Sequence, residues 1–262
     1  YSIYPRSLDE RIVAEALLDD QSPDSPTKVV VVVDATNIKR GLLLLTQIID
    51  LGKPTVLVLN MMDLAAKAGV SYDFIKLSQK LGVPVVPMNA RKGEGIEMLK
   101  KELTKVESST TSPVFPIWEE AKTAVQKLRE QFQLTNDYQA YQFLEQPQSL
   151  NFLSKEKQQS IEQLRQQHGY FPGKFQGAET IQRYGYIQDL LNEATLKQAD
   201  FAWKNFSHKL DKVLTHKIGG YAIFFAVLFL VFQSVFAWAS YPMDFIDGLF
   251  ADFGSWLSGA LP

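Results

Sequence analysis

From Ile218 through Met243 there is no charged side chain, and the run includes Ile223-Phe224-Phe225-Ala226-Val227-Leu228-Phe229-Leu230-Val231-Phe232. About 20 such residues form a helix long enough to cross the hydrocarbon core of a bilayer. A buried helix in a small soluble domain is seldom so long or so uniformly apolar. The stretch therefore predicts a membrane-spanning helix. Lys204, Lys209, Lys212 and Lys217 precede it, while Asp244, Asp247 and Asp252 follow. The basic side, and the chain N-terminal to it, is expected to face the cytoplasm. Trp238 and Tyr241 suit the far interface, and Gln233, deep in the span, is expected to pack against a neighbouring helix. After Pro242, Ile246, Leu249, Phe250, Phe253 and Leu257 recur at helical spacing, which predicts a second, amphipathic helix on the outer surface.

The first hundred residues obey a different pattern. Val29-Val30-Val31-Val32-Val33-Asp34 is an unbroken β-branched run of strand length, and its lack of alternation predicts burial on both faces, as in a parallel sheet. A helical stretch over 38–51 ends at Gly52-Lys53-Pro54. Thr55-Val56-Leu57-Val58-Leu59-Asn60 is a second strand, residues 73–81 are helical, Val83 to Met88 is a third strand, and Glu94 to Val106 a last helix. Asp9 to Leu18 adds a helix at the start, with Ser7 as its N-cap. Strands alternating with helices predict an α/β layer with a parallel sheet. A five-valine strand with a neighbour on one side only would be a long apolar edge. Further strands before Tyr1 are therefore expected, and with Tyr1 in place of Met the chain reads as a piece of a longer polypeptide.

In such sheets ligands gather beyond the carboxyl ends of the strands. Those ends carry Asp34-Ala35-Thr36-Asn37, Asn60-Met61-Met62-Asp63 and Asn89-Ala90-Arg91-Lys92-Gly93. A carboxylate at Asp63 can accept two hydrogen bonds from the N1–H and N2–H₂ edge of guanine, whereas adenine presents an acceptor at N1. Asn60 would tie neighbouring loops together. Ala90, being small, would leave its backbone N–H free for the guanine oxygen, and Gly93 would let the loop turn. Met61, Asn89 and Arg91 complete the two candidate turns. Asp34 and Asn37 are read as structural caps of the helix that follows. The phosphate half of such a site is absent: no G-x-x-x-x-G-K-[ST] loop occurs, and no Mg²⁺ ligand set can be named. On its own the chain is expected to bind nucleotide weakly and hydrolyse none.

Tyr1-Ser2-Ile3-Tyr4-Pro5, Asp9-Glu10-Arg11, Val33-Asp34-Ala35-Thr36-Asn37, Leu59-Asn60-Met61-Met62-Asp63 and Ala90-Arg91-Lys92-Gly93-Glu94-Gly95 together resemble the G domain of the FeoB family, the bacterial ferrous iron transport proteins B. Arg183-Tyr184, Leu210-Asp211-Lys212-Val213-Leu214, Phe232-Gln233 and Pro242-Met243-Asp244 also fit. The resemblance implies a P-loop-type G domain lacking its upstream strands (1–106), a linker (107–113), a helical spacer (114–210), and a first transmembrane helix with the amphipathic helix after it (211–262). It implies GTP as ligand, Mg²⁺ and GTPase activity in the parent protein, and Fe²⁺ as the transported ion. It further implies the inner membrane as location, the small cytoplasmic protein FeoA as partner, and room for an oligomer. Tyr1 and Ser2 would follow the switch turn directly, and Asn89 stands where the family usually has Ser or Thr. A membrane-tethered regulatory GTP-binding protein that moves no ion is the alternative.

The remaining sequence is less specific. Glu107-Ser108-Ser109-Thr110-Thr111-Ser112-Pro113 is a polar linker. Beyond it, stripes such as Trp118, Ala121, Val125 and Leu128, then Ile161 and Leu164, then Ile181, Tyr184, Ile187, Leu190 and Leu191, predict the core faces of a small helical bundle. His168, beside Gly169, reads as a helix end. With 27 Lys+Arg against 29 Asp+Glu, a net charge of -2, there is no basic footprint for nucleic acid. Without cysteine there is no disulfide, thiolate metal site or cysteine nucleophile.

Overall fold

The computed structural model describes residues 2–5, 7–107, 113–198, 214–217 and 219–260. In chain order the first part contains α1 (Leu8–Leu18), β1 (Val29–Asp34), α2 (Ile38–Asp50), β2 (Thr55–Asn60), α3 (Met62–Lys67), β3 (Val70–Tyr72), α4 (Phe74–Leu81), β4 (Val85–Pro87) and α5 (Ile96–Lys105). The expected cap of α1 is present, with Ser7 Oγ accepting from the Glu10 N–H at 3.3 Å. Strands β1, β2 and β4 form a parallel sheet in that order, with Val29 opposite Thr55 and Leu57 opposite Val85. The α/β alternation read from the sequence thus folds as an α/β layer.

The sheet has two unequal faces. Val31, Val33, Leu57, Leu59 and Val85 enter one large core, whereas Val56, Val58, Val86 and Met88 pack under Leu99, Leu103 and Val106 of α5 and its end. All five apolar or β-branched residues of β2 before Asn60 are buried, each contributing on the order of 1.5–3 kcal/mol when large and aliphatic. The expected burial of β1 on both faces is corrected here. Val31 and Val33 are buried, but Val30 is 36% and Val32 61% exposed. They lie in register with Val56 and Val58 on the α5 face, and α5 packs over β2 and β4 without reaching them. On the other face α2 lies so close to β1 that a Cβ at Gly41 would stand 2.5 Å from Val33 Cγ1.

The helices that follow are α6 (Glu119–Phe132), α7 (Asp137–Glu145), α8 (Lys155–Gln167) and α9 (Gln176–Ala194), then a short strand, β5 (Thr195–Gln198). Ala121, Val125, Leu128, Ile161, Leu164, Ile187 and Leu190 are buried, as their spacing predicts, but Ile181 is 76% exposed. His168 sits at the C-terminal cap of α8. Helix α9 packs against α2, so the core runs unbroken from Ile3 to Ala194, and residues up to 199 form one compact unit.

At the centre of this unit lies an ionic cluster. The Arg183 guanidinium, fully buried, pairs with Asp50 at 2.7 Å and Glu179 at 2.8 Å. Asp50, at the end of α2, also accepts from the Val114 and Phe115 N–H groups at 2.7 and 3.1 Å. Glu179 accepts from the Tyr4 and Tyr138 hydroxyls at 2.5 and 2.6 Å. Burial pushes the Asp50 carboxyl up, and Arg183 and the two amides offset this only in part. The cluster joins α2, α7, α9 and the N-terminal segment, which is further held by the Ile3 N–H donating to Gln47 Oε1 at 3.0 Å.

A second unit contains α10 (Gly219–Ala260), a continuous helix of 42 residues with Pro242 inside it. By length and composition it can cross a membrane. The expected break between a spanning helix and a separate amphipathic helix is therefore corrected: the helix runs on through Pro242. Proline lacks an N–H, which leaves the Trp238 carbonyl without its helical donor, and its ring crowds that carbonyl, so this turn is a weak point of the helix. Lys204, Lys209 and Lys212, expected to mark the cytoplasmic side, lie outside the described residues, as does most of the 107–113 linker.

Candidate base-binding site at the carboxyl rim of the sheet

The three strand ends meet at one rim. Asn60 ends β2, and its backbone carbonyl accepts from the Ala35 N–H at 2.9 Å, joining the loop after β1 to the loop after β2. Its side-chain Oδ1 accepts from the Ala90 N–H at 3.0 Å, joining that loop to the turn after β4. The Met62 N–H adds a second tie to the Met88 carbonyl at 3.3 Å. The residues read as candidates in the sequence, Asn60, Met61, Asp63, Asn89, Ala90 and Arg91, are thereby brought to one place.

Each residue has its own setting. Met61 adopts a left-handed conformation (φ +61°), an uncommon state for a side chain of that size, and it lets the chain turn from β2 directly into α3. Asp63 falls in the first turn of α3, half-buried, and no donor among the described residues engages its carboxylate. Asn89 is 5% exposed, and its side-chain Nδ2 is buried without a partner. Its backbone pairs in both directions with Glu94, at 3.0 and 3.2 Å, closing the turn that contains the short 3-10 segment Ala90–Lys92. Gly95 (φ +92°) ends this turn against the Pro87 carbonyl, which would lie 2.5 Å from any added Cβ. Arg91 and Lys92 are exposed.

Three readings need revision. The Ala90 N–H, expected to be free, is donated to Asn60. Asp34 does not cap α2; its Oδ1 accepts from the Thr36 N–H and hydroxyl at 2.7 and 2.8 Å and shapes the turn before the helix. Asn37 stands at the N-cap of α2 but makes no side-chain capping bond. Sequence reasoning missed Tyr72, whose hydroxyl donates to the Ala35 carbonyl at 2.8 Å and braces the first rim loop from beneath. A β-strand tyrosine 37 residues away gives no local signal of such a bond.

A half-buried carboxylate without a donor and a buried amide nitrogen without an acceptor thus lie on loops tied together at this rim, and no acidic metal cluster occurs among the described residues. A buried donor left unpaired costs about 1–3 kcal/mol.

Comparison with known proteins gives a consistent result. The family described as ferrous iron transport protein B matches residues 1–103. The Fe(2+) transporter FeoB of Staphylococcus aureus (strain COL) is 31% identical over 269 residues, covering 96% of this chain and 40% of its own length. A fusion of Fe(2+) transport protein A with Fe(2+) transporter FeoB from Porphyromonas gingivalis is 28% identical, covering 100% of this chain and 33% of its own length. The chain thus spans about two fifths or less of the length of these relatives. Among solved structures, a GDP-bound variant of the S. thermophilus FeoB G-domain aligns with a TM-score of 0.55 at 28% identity, over 74% of this chain and 78% of that one.

Proposed function

The chain belongs to the FeoB family of ferrous iron transport proteins, and from that premise we propose that it carries the base-reading half of the GTP switch of a GTP-dependent Fe²⁺ transporter of the bacterial inner membrane. Asp63 receives the N1–H and N2–H₂ edge of guanine. Asn60, Met61, Asn89, Ala90 and Arg91 form the walls of the crevice. On entry of the base the Ala90 N–H exchanges Asn60 Oδ1 for the guanine oxygen, and the Asn89 amide gains an acceptor. The phosphates of GTP and the Mg²⁺ they carry need groups that this chain does not contain. Residues 1–106 serve as the G-domain portion, 107–113 as linker, 114–210 as helical spacer and 211–262 as membrane attachment. FeoA is the partner suggested by the P. gingivalis fusion.

The observation that supports this reading is the Asn60–Ala90 hydrogen bond, which ties the loop carrying Asp63 to the turn carrying Ala90. The test is an exchange of selectivity at position 63. Asp63→Asn should weaken guanine nucleotide binding by about tenfold or more, since a charge-assisted hydrogen bond contributes roughly 1.5–3 kcal/mol. The same variant should gain affinity for xanthine nucleotides, because an amide donates where a carboxylate cannot. Calorimetric titration of the intact protein with GDP and XDP reads both. Unchanged GDP affinity, or no gain for XDP in a folded variant, overturns the assignment. Iron uptake that proceeds identically when guanine binding is abolished would favour a regulator that moves no ion.

A further inference from the structure

Strand β3 begins ten residues after Asn60, joined to the rim by the six-residue α3 and the Ala68-Gly69 turn. Tyr72 at its end, buried, anchors to the Ala35 carbonyl, and the Ala35 N–H in turn donates to the Asn60 carbonyl. The strand therefore answers to two of the three rim loops, through the chain and through a hydrogen bond. Its other edge pairs antiparallel with β5, with Val70 opposite Gln198, Ser71 opposite Lys197 and Tyr72 opposite Thr195 across a register shift. The Asp73 N–H extends the pairing to the Ala194 carbonyl at 2.8 Å, and Lys76 Nζ donates to the Glu193 carbonyl at 3.2 Å. Strand β5 is the last described element before the residues that lead to α10 at Gly219.

A two-stranded pair of three or four residues has little stability of its own. Such elements open and close at low cost and are where conformational signals pass. We propose that the β3–β5 pair is the joint through which occupancy of the base crevice reaches the chain leading to the apolar helix. Guanine holds Asn60–Asp63 and hence α3 in place, β3 is kept in register, and β5 stays paired; with the crevice empty the pair opens more often. The inference rests on the guanine reading of the same rim loops. By linkage, a lock on the pair must change guanine affinity in return.

This chain has no cysteine to compete with an introduced pair, and any thiol elsewhere in the intact protein is first replaced by serine. Antiparallel partners have Cα atoms about 4.5–5.5 Å apart, within the span a disulfide bridges. The experiment places Ser71→Cys and Lys197→Cys together in the intact protein in lipid nanodiscs. It follows disulfide formation under mild oxidant with no nucleotide, with GDP and with ADP, and it measures GDP binding separately on the reduced and oxidised forms. The expected result is cross-linking at least threefold faster with GDP than with ADP or no nucleotide, and GDP affinity at least threefold higher in the oxidised form. Failure to cross-link overturns the pairing. Equal rates with GDP bound overturn the coupling while leaving the guanine reading intact. Absence of GDP binding to the reduced protein takes both down.

Discussion

Replacing Arg183 by Met removes the cation that pairs with both buried acids while keeping most of the side-chain volume. Asp50 then faces the core with two backbone amides as its remaining partners, at 2.7 and 3.1 Å, and Glu179 retains the hydroxyls of Tyr4 and Tyr138. Breaking a buried ion pair by deleting one partner typically costs about 3–5 kcal/mol. Because each acid keeps two donors the lower end applies, and loss of the guanidinium from the faces of Phe115 and Tyr138 (5.4 and 5.0 Å) adds a little. We expect a loss of about 3–4 kcal/mol at pH 7, by analogy with such pairs. The pH dependence is the sharper signature. Asp50 already has a raised pKa from burial, and without Arg183 it rises further. A carboxyl whose folded pKa is raised contributes stability that is fully present below its unfolded pKa and is lost as pH climbs through the folded value. The variant should therefore recover part of its deficit between about pH 7 and pH 5, by that linkage. Urea unfolding of the detergent-solubilised protein, followed by circular dichroism at both pH values, measures it. A loss under about 1 kcal/mol at pH 7 would refute the assigned weight of the cluster. So would an identical loss at both pH values.

Asn60→Ala should lower the stability of the nucleotide-free protein by about 0.5–1.5 kcal/mol through the lost Ala90 bond, measured by the same urea titration, and an unchanged midpoint would show the bond to be idle. Gly95→Ala forces a Cβ toward the Pro87 carbonyl at a positive φ; a cost of about 1–3 kcal/mol and a fall in GDP affinity are expected, since the 89–95 turn must move. Glu145, whose carboxyl is raised by burial although Tyr170 and the Gly173 N–H oppose the shift, should stabilise the protein relative to Glu145→Gln most at low pH. That advantage should shrink as pH rises from about 4 through the folded pKa, and a constant difference in urea midpoints would count against it.

How much of this was legible in the sequence depends on the range of the interactions. The valine runs, the Gly52-Lys53-Pro54 stop and the Ser7 cap are local, and the strands and helices they predict are present. The convergence of Asn60 with Ala90 followed from topology alone, because consecutive parallel strands bring their carboxyl ends together. What escaped is long-range or depends on what lies on top. Strands β3 and β5 are too short for periodicity to register and are more than a hundred residues apart in sequence. Nothing marks Asp50, Glu179 and Arg183 as a cluster except the four-residue spacing of the last two. The exposure of Val30 and Val32 is set by the reach of α5, and apolar runs do not encode which helix will cover them. The Ala90 amide was assigned to a ligand because the competing acceptor, Asn60 Oδ1, could be recognised only once the loops were seen together.

The uninterrupted course of α10 sets a problem of length. At 1.5 Å per residue its 42 residues extend about 63 Å, roughly double the thickness of bilayer hydrocarbon. The uncharged portion up to Met243 uses about 38 Å of that, enough to fill the apolar slab with modest tilt. Asp244, Asp247 and Asp252 would keep the remainder out of it, so the helix would rise from the far surface as a stalk. Pro242 falls where the rod would leave the lipid, and the carbonyl it leaves unpaired is there within reach of headgroups and water, making that level the natural place for the rod to bend.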